Sequence, residues 1–239
     1  MLYVYDGTKS GFLTAFLAAF SDNEARISSK TTQLALGETP VFVPTDEDKA
    51  QRVCARFRSF DSYCLRDLDF LLRSGQEDSE AVTFAYFKTL AQYKRPIRHQ
   101  LTLPAVYVAD EYIRKVQFEI HRLHGFIRFM QTDSGVLYSP FSPDNDVCDL
   151  LVPHFKARLP QYPFVLHDVA RKKAALYDGE NVFFGKLDKA DGILHDREPS
   201  WQALFKTYYN AVNIPSRERL QQMRGFMPQR YWKFLTEKQ

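Results

Sequence analysis

Between Arg217 and Lys233 five cations, Arg217, Arg219, Arg224, Arg230 and Lys233, stand against the single acid Glu218. Phe226, Tyr231 and Trp232 are interleaved with them. Guanidinium and ammonium groups pair with phosphate and aromatic faces stack on unpaired bases, so the segment has the make-up of a nucleic-acid-binding surface. The same residues also fit a helix that packs through Tyr231 and Trp232 while its arginines face water. A second basic cluster, Arg171, Lys172 and Lys173, falls in a turn between two expected strands, where it would lengthen a phosphate track. A third, Lys94, Arg95 and Arg98, lies near the middle of the chain. The formal net charge is only +3, so the basic excess is local.

A different chemistry would use His154, His167, Asp168 and Asp178. An imidazole beside a carboxylate is held in one tautomer and can move a proton, which makes these four residues candidates for a catalytic acid–base set at strand ends. Asp168, Asp178 and Glu180 suggest magnesium as in a nuclease, but the acid-x-Lys order expected on the next strand is reversed in Gly185-Lys-Leu-Asp188. His121 and His124, beside Glu119, match no common helical zinc spacing. Cys54, Cys64 and Cys148 contain no CxxC pair, which speaks for a reducing compartment and against a disulfide framework or an iron–sulfur cluster. No dinucleotide, phosphate-loop, nucleophile-elbow or HExxH motif occurs. Neither a cofactor nor a metal is expected.

The elements that must carry these residues read as α+β. The chain has 239 residues, 45% hydrophobic and 26% charged, a composition that excludes wholesale disorder. Leu2-Tyr-Val-Tyr5 reads as a strand, and Thr8 caps a helix bearing Phe12, Phe16 and Phe20. Val41-Phe-Val43 is a short extended piece. Thr45 with Asp46, Glu47 and Asp48 starts a second helix through Val53, Phe57 and Phe60, and two more cover Ser62 to Leu72 and Ser79 to Tyr93. A long helix follows Pro104 as far as Gly125. Next come a hairpin of Phe126–Met130 with Val136–Phe141, a helix from Val147 to Leu159, and three strands at Phe164–Asp168, Ala174–Tyr177 and Val182–Lys186. Two helices close the chain, one lined by Trp201, Leu204, Phe205, Tyr208 and Val212, the other around Ser216 to Leu235. The expectation is a mainly helical N-terminal region, 1–97, followed by residues 98–239 with an antiparallel sheet of about five strands packed with helices. Phe12, Phe16, Phe57, Phe126 and Trp201 fall at core spacings. The longest apolar run, Gly11 to Phe20, is too short to span a bilayer and has no signal-peptide flanks, so the cytoplasm is expected and a membrane is not.

Tyr5-Asp-Gly-Thr8 with Gly11-Phe-Leu13, Glu119-x-x-Arg122-x-x-Gly-Phe-x-Arg128-Phe129, Leu151-Val-Pro-His-Phe155 and His167-Asp168 form a combination of motifs. Tyr177-Asp-Gly179, Trp201-x-x-x-Phe-Lys206-x-Tyr208 and Met227-Pro-x-Arg-Tyr-Trp232 extend it. In this combination the chain resembles a bacterial family of DNA metabolism proteins whose carboxy-terminal region is a domain of unknown function. The resemblance implies a role in DNA metabolism or repair beside a radical S-adenosylmethionine protein of DNA modification or repair. It also implies a link to a uracil-DNA glycosylase-like domain, to which some members are fused. It implies no catalytic activity. Where the family often has a histidine after Pro-Asp, this chain has Asn145 following Pro143-Asp144.

Three readings follow. The first is a DNA-binding accessory protein using Arg171, Lys172, Lys173, Arg217, Arg224, Arg230, Tyr231, Trp232 and Lys233. The second is a nuclease or base-processing enzyme centred on His154, His167, Asp168 and Asp178. The third is an adaptor that binds the radical enzyme and not DNA.

Overall fold

A strand, a glycine turn and a capped helix open the chain. In the computed structural model, which describes residues 1–30, 39–188, 196–212 and 220–238, Leu2–Val4 is β1 and Lys9–Ala19 is α1. Gly7 takes φ +81° between them, a conformation that a side chain would strain. The Thr8 hydroxyl accepts from the Gly11 N–H at 2.9 Å, which satisfies one of the free donors at the start of α1. Asp6 in turn accepts from the backbone and hydroxyl of Thr8 and from the Thr45 hydroxyl, and these bonds hold its carboxyl below the usual range.

The division into two compact units, Met1–Gln117 and Phe118–Gln239, falls within the fifth helix. In the first unit, β2 (Arg26–Ser28) and β3 (Val41–Phe42) flank β1 in a parallel sheet of order β2-β1-β3. The part is mainly helical, as its periodicity predicts, yet it builds this small sheet as well. Arg26-Ile-Ser28 is too short to show strand alternation in sequence. α2 (Glu47–Phe60), α3 (Cys64–Arg73) and α4 (Ser79–Tyr93) follow. Asp46 caps α2 by accepting from the Lys49 N–H at 3.0 Å, and the carboxylates of Glu47 and Asp48 favour that end of the helix dipole. The core is a nest of rings. Phe16 meets Phe57 at 5.3 Å and Phe84 at 5.4 Å edge-on, and Phe57 meets Phe87 at 4.8 Å. Each such burial stabilises by about 1.5–3 kcal/mol, and the edge-on geometry adds to it.

α5 (Pro104–Phe126) leads into the second unit, where β4 (Met130–Gln131) and β5 (Leu137–Phe141) form a hairpin across Gly135. α6 (Cys148–Arg158) then returns the chain so that β6 (Phe164–Asp168) lies parallel to β5, before β7 (Lys173–Tyr177) and β8 (Val182–Lys186) continue antiparallel. The five-stranded sheet, order β4-β5-β6-β7-β8, is therefore mixed rather than wholly antiparallel. The helix between β5 and β6 makes the difference, because a crossover of that length brings a strand back in the same direction. Phe164, Leu166, Ala175 and Tyr177 on one face are buried, as are Leu151, Val152 and Phe155 of α6, and Phe155 meets Phe164 edge-on at 6.5 Å.

α7 (Glu198–Val212) carries its apolar stripe outward. Trp201 is 55% exposed, which corrects its assignment to the core. The last expected helix is shorter and broken. α8 spans Leu220–Phe226, Pro228 follows, and Gln229–Phe234 is a 3-10 turn. Proline lacks the N–H a helix needs and pushes the residue before it out of helical conformation. Among the described residues no helix is long and apolar enough to cross a membrane.

Candidate nucleic-acid interface and its polar junction

The basic residues found in the sequence meet different fates. At the β6–β7 turn, the Asp168 carboxylate is wholly buried and accepts from the backbone N–H groups of Ala170 and Arg171, both at 3.1 Å. Its other oxygen takes Arg171 Nη1 at 3.0 Å. Arg171 also donates to the carbonyls of Pro143, at 2.9 Å, and Asp144. Lys173 pairs with Asp146, and Lys172, in the left-handed conformation at φ +54°, pairs with Asp188 at 2.7 Å. This turn is thus fastened to the loop at 143–146 and is largely neutralised.

Glu119 of α5 anchors the same loop from the other side. Its carboxylate, 3% exposed, accepts from Asp144 N at 2.9 Å, Asn145 N at 2.8 Å and Asn145 Nδ2 at 2.6 Å. The Tyr231 hydroxyl donates to it at 2.5 Å, and Arg230 approaches at 3.5 Å while pairing with Asp144 at 2.7 Å. Burial, then Glu119, pushes the Tyr231 hydroxyl far up, so it is a hydrogen-bond donor at any working pH. Burial opposes the charge on Arg230, but Tyr231, Asp144 and Glu119 hold its guanidinium above the ordinary range. Asn145, which stands where the resembled family often has histidine, supplies two of the donors to Glu119. The sequence sets Glu119 only beside His121 and His124 and Asn145 only as a departure from the resembled family, although the motifs at Glu119–Arg122 and Pro143-Asp144 mark the junction.

This geometry corrects the role of Tyr231. Its ring is 2% exposed and lies against Phe126, so no face is left to stack on a base. Trp232 is half-buried, its Nε1 donates to the Met227 carbonyl at 3.1 Å, and Lys238 lies over its ring at 5.7 Å. Lys233 is exposed, with its ammonium over Phe234. Arg217 lies outside the described residues. Arg224 and Phe226 remain open: Phe226 is 70% exposed, and Arg224 is exposed with no acid partner among the described residues.

The four candidates for catalysis do not come together. Successive residues of a strand point to opposite faces, so His167 and Asp168 diverge. His167, 1% exposed, bonds Tyr138 at 2.6 Å through Nδ1 and the Leu187 carbonyl at 2.9 Å through Nε2. A carbonyl only accepts, so Nε2 carries the proton and Nδ1 accepts from Tyr138; both nitrogens are occupied. Asp168 pairs with Lys173 at one end of β7, whereas Asp178 follows Tyr177, which pairs with Phe164 at the other end. At about 3.3 Å per residue the two carboxylates are on the order of 15 Å apart, too far to share a reaction. Asp178 instead accepts from Glu180 N and Asn181 N in the β7–β8 turn, and those bonds lower its carboxyl. His154 stacks on His124 at 4.0 Å and 11°, with the Nε2 atoms of both rings buried and unpartnered. Burial, then the charges of His154 and His121, holds His124 below the ordinary histidine value. Among the described residues no three His, Cys, Asp or Glu side chains gather as a metal site.

A family model described as a domain of unknown function, DUF4130, matches residues 77–237, well over half of the chain. The chain belongs to this family. The DUF4130 region contains every residue of the polar junction and the open Arg224–Phe226 segment. No curated protein matches the chain. Among solved structures, a pGpG-specific phosphodiesterase, PggH from Vibrio cholerae, is similar at TM-score 0.32 and 9% identity, over 89% of this chain and 99% of that one. A likeness at that level carries no argument about fold or chemistry.

Proposed function

We propose that this DUF4130 protein binds DNA as an accessory protein of DNA metabolism or repair, the partner of a radical S-adenosylmethionine enzyme, and does not itself perform the chemistry. The observation that carries the reading is that α8 leaves open both Phe226, 70% exposed, and Arg224, which is exposed and has no acid partner among the described residues. Two residues apart on a helix, the two side chains project to different sides, so the ring would stack on one unpaired base while the guanidinium neutralises a phosphate farther along the strand. Lys233, and the half-buried Trp232 at its outer edge, lie on the following turn. Arg171, Lys173, Arg230 and Tyr231 are taken up by the 143–146 loop and Glu119 rather than left open to DNA. The resemblance to DNA metabolism proteins supports the same reading. A catalytic reading centred on His154, His167, Asp168 and Asp178 has no comparable support, because those side chains do not share a site.

The test is equilibrium binding of single- and double-stranded oligonucleotides across a salt series. Affinity is expected to fall with salt and to favour single strands. Arg224→Gln should lower the log–log salt slope by roughly one phosphate contact, and Phe226→Ala should weaken single-strand binding by about 1–3 kcal/mol. Arg230→Ala is a poor probe, since it also strips Asp144 of its partner. Binding that ignores salt and both α8 substitutions would remove the DNA reading. Co-purification with the radical enzyme from nuclease-treated lysate, without DNA affinity, would establish the adaptor instead.

A further inference from the structure

In the first unit a groove of about 690 Å³ opens between the end of α2, the α2–α3 turn and α5. Three guanidinium groups, those of Arg58, Arg66 and Arg98, line it. Arg98 is held by two carboxylates whose side chains are only 3% exposed: Nη2 reaches Asp61 at 3.0 and 3.1 Å and Asp67 at 3.1 Å. All three contacts use that one nitrogen. Nε and Nη1 have no partner among the described residues, and neither is sealed from solvent. Arg66 likewise uses only Nη2, on Asp67 at 3.4 Å. Arg58 is exposed and has no acid partner among the described residues. The Tyr63 ring, 55% exposed, lies 4.6 Å from the Arg98 guanidinium and 5.0 Å from that of Arg66, so it fixes both planes.

Sequestering Asp61 and Asp67 is unfavourable unless Arg98 compensates them, and a solvated surface has no need of such an arrangement. Its effect is to orient a guanidinium edge with two free donors before any ligand arrives. Three cations against two carboxylates leave a positive balance, because Asp110 on the groove wall faces Arg114 at 3.8 Å. Planar donor forks of this kind match the oxygens of phosphate.

We propose that this groove binds a phosphate-bearing ligand, with one phosphoryl group seated among Arg58, Arg66 and the open edge of Arg98. Arg58, Tyr63 and Arg66 precede residue 77, so most of the site lies outside the DUF4130 match. The inference is independent of the α8 reading, which concerns residues of the other unit. The phosphoryl group belongs either to a free nucleotide or to a nucleic-acid backbone.

Calorimetric titration of the full chain with inorganic phosphate, a 5′-mononucleotide and a short single-stranded oligonucleotide tests it. Phosphate is expected to bind in the millimolar range, and the tighter of the other two ligands identifies the source. The doubly substituted Arg58→Gln, Arg66→Gln protein, altered only at exposed side chains, should unfold like the parent and bind phosphate at least about tenfold more weakly. The Arg224→Gln, Phe226→Ala protein should bind phosphate unchanged, which separates this site from the α8 surface. Absence of binding by all three ligands at about 10 mM, or affinity unaltered by the Arg58 and Arg66 substitutions, would overturn the proposal.

Discussion

Replacing Glu119 by glutamine tests whether the polar junction holds the second unit together. The carboxylate accepts two backbone N–H groups, the Asn145 amide, the Tyr231 hydroxyl and a longer contact from Arg230. A glutamine amide offers one oxygen in place of two. If that oxygen faces Asp144 N and Tyr231, the NH2 points at the two donors of Asn145; if it is turned round, the NH2 opposes Asp144 N, Tyr231 and Arg230. Either way at least two buried donors lose an acceptor. Hydrogen bonds to charged groups contribute about 1.5–3 kcal/mol each, so the loss is expected at roughly 3–5 kcal/mol, a fall in Tm on the order of 10 °C. Tyr231→Phe removes only the hydroxyl and should cost about 2 kcal/mol. Both tryptophans, Trp201 and Trp232, lie in the second unit, so denaturant unfolding followed by tryptophan fluorescence reports that unit alone. A Glu119→Gln loss below about 1 kcal/mol, or equal losses from the two substitutions, would refute the view that Glu119 organises the junction.

Other outcomes follow from the same geometry. Because burial holds His124 below its unfolded value of about 6.5, the unfolded chain binds the extra proton first; stability should therefore fall as pH drops below about 6.5, and His124→Asn should flatten that fall in denaturant midpoints measured between pH 5 and 8. A Cβ on Gly11 would meet Asp6 Oδ1 at 2.1 Å and Thr45 Oγ1 at 2.9 Å, so Gly11→Ala should displace the carboxylate that braces Thr8 and Thr45 and destabilise by about 1–3 kcal/mol in thermal unfolding.

What could be read from the sequence depended on how local the signal was. Thr8 and α1, the start of α2 and the bounds of α4 come from capping residues and helical spacing within a few turns, and these elements appear where expected, with Asp46 rather than Thr45 as the cap of α2. β2 offered three residues without alternation and was missed. The parallel pairing of β5 and β6 depends on which strands α6 brings together, which strand patterns alone do not specify. Trp201, Leu204, Phe205, Tyr208 and Val212 do share a helix face, but spacing shows that residues are on one side and not whether anything covers that side. The candidate site failed for a related reason. Residue type nominated His167 with Asp168, and the pleat of the strand separates them. The basic run near the C-terminus was legible as a charge pattern, but the acid that neutralises Arg230 is Asp144, distant in sequence, whereas Arg171 is neutralised locally by Asp168 three residues before it. Arg224 differs in that no acid partner reaches it among the described residues.

Tyr231 lies 112 residues after Glu119. On a ribosome adding roughly 10 residues per second, Glu119 is made about ten seconds before the hydroxyl that satisfies it. Until then the carboxylate has only the 144–145 loop for company, and Phe126 lacks the Tyr231 ring that packs against it. The second unit therefore cannot close its buried junction as each hairpin emerges; completion waits for the segment around Pro228 to Leu235. A chain interrupted before that segment would retain its sheet sequence and most of its helices, yet leave Glu119 with the donors of the 144–145 loop alone, and such an open junction favours proteolysis and aggregation of incomplete copies.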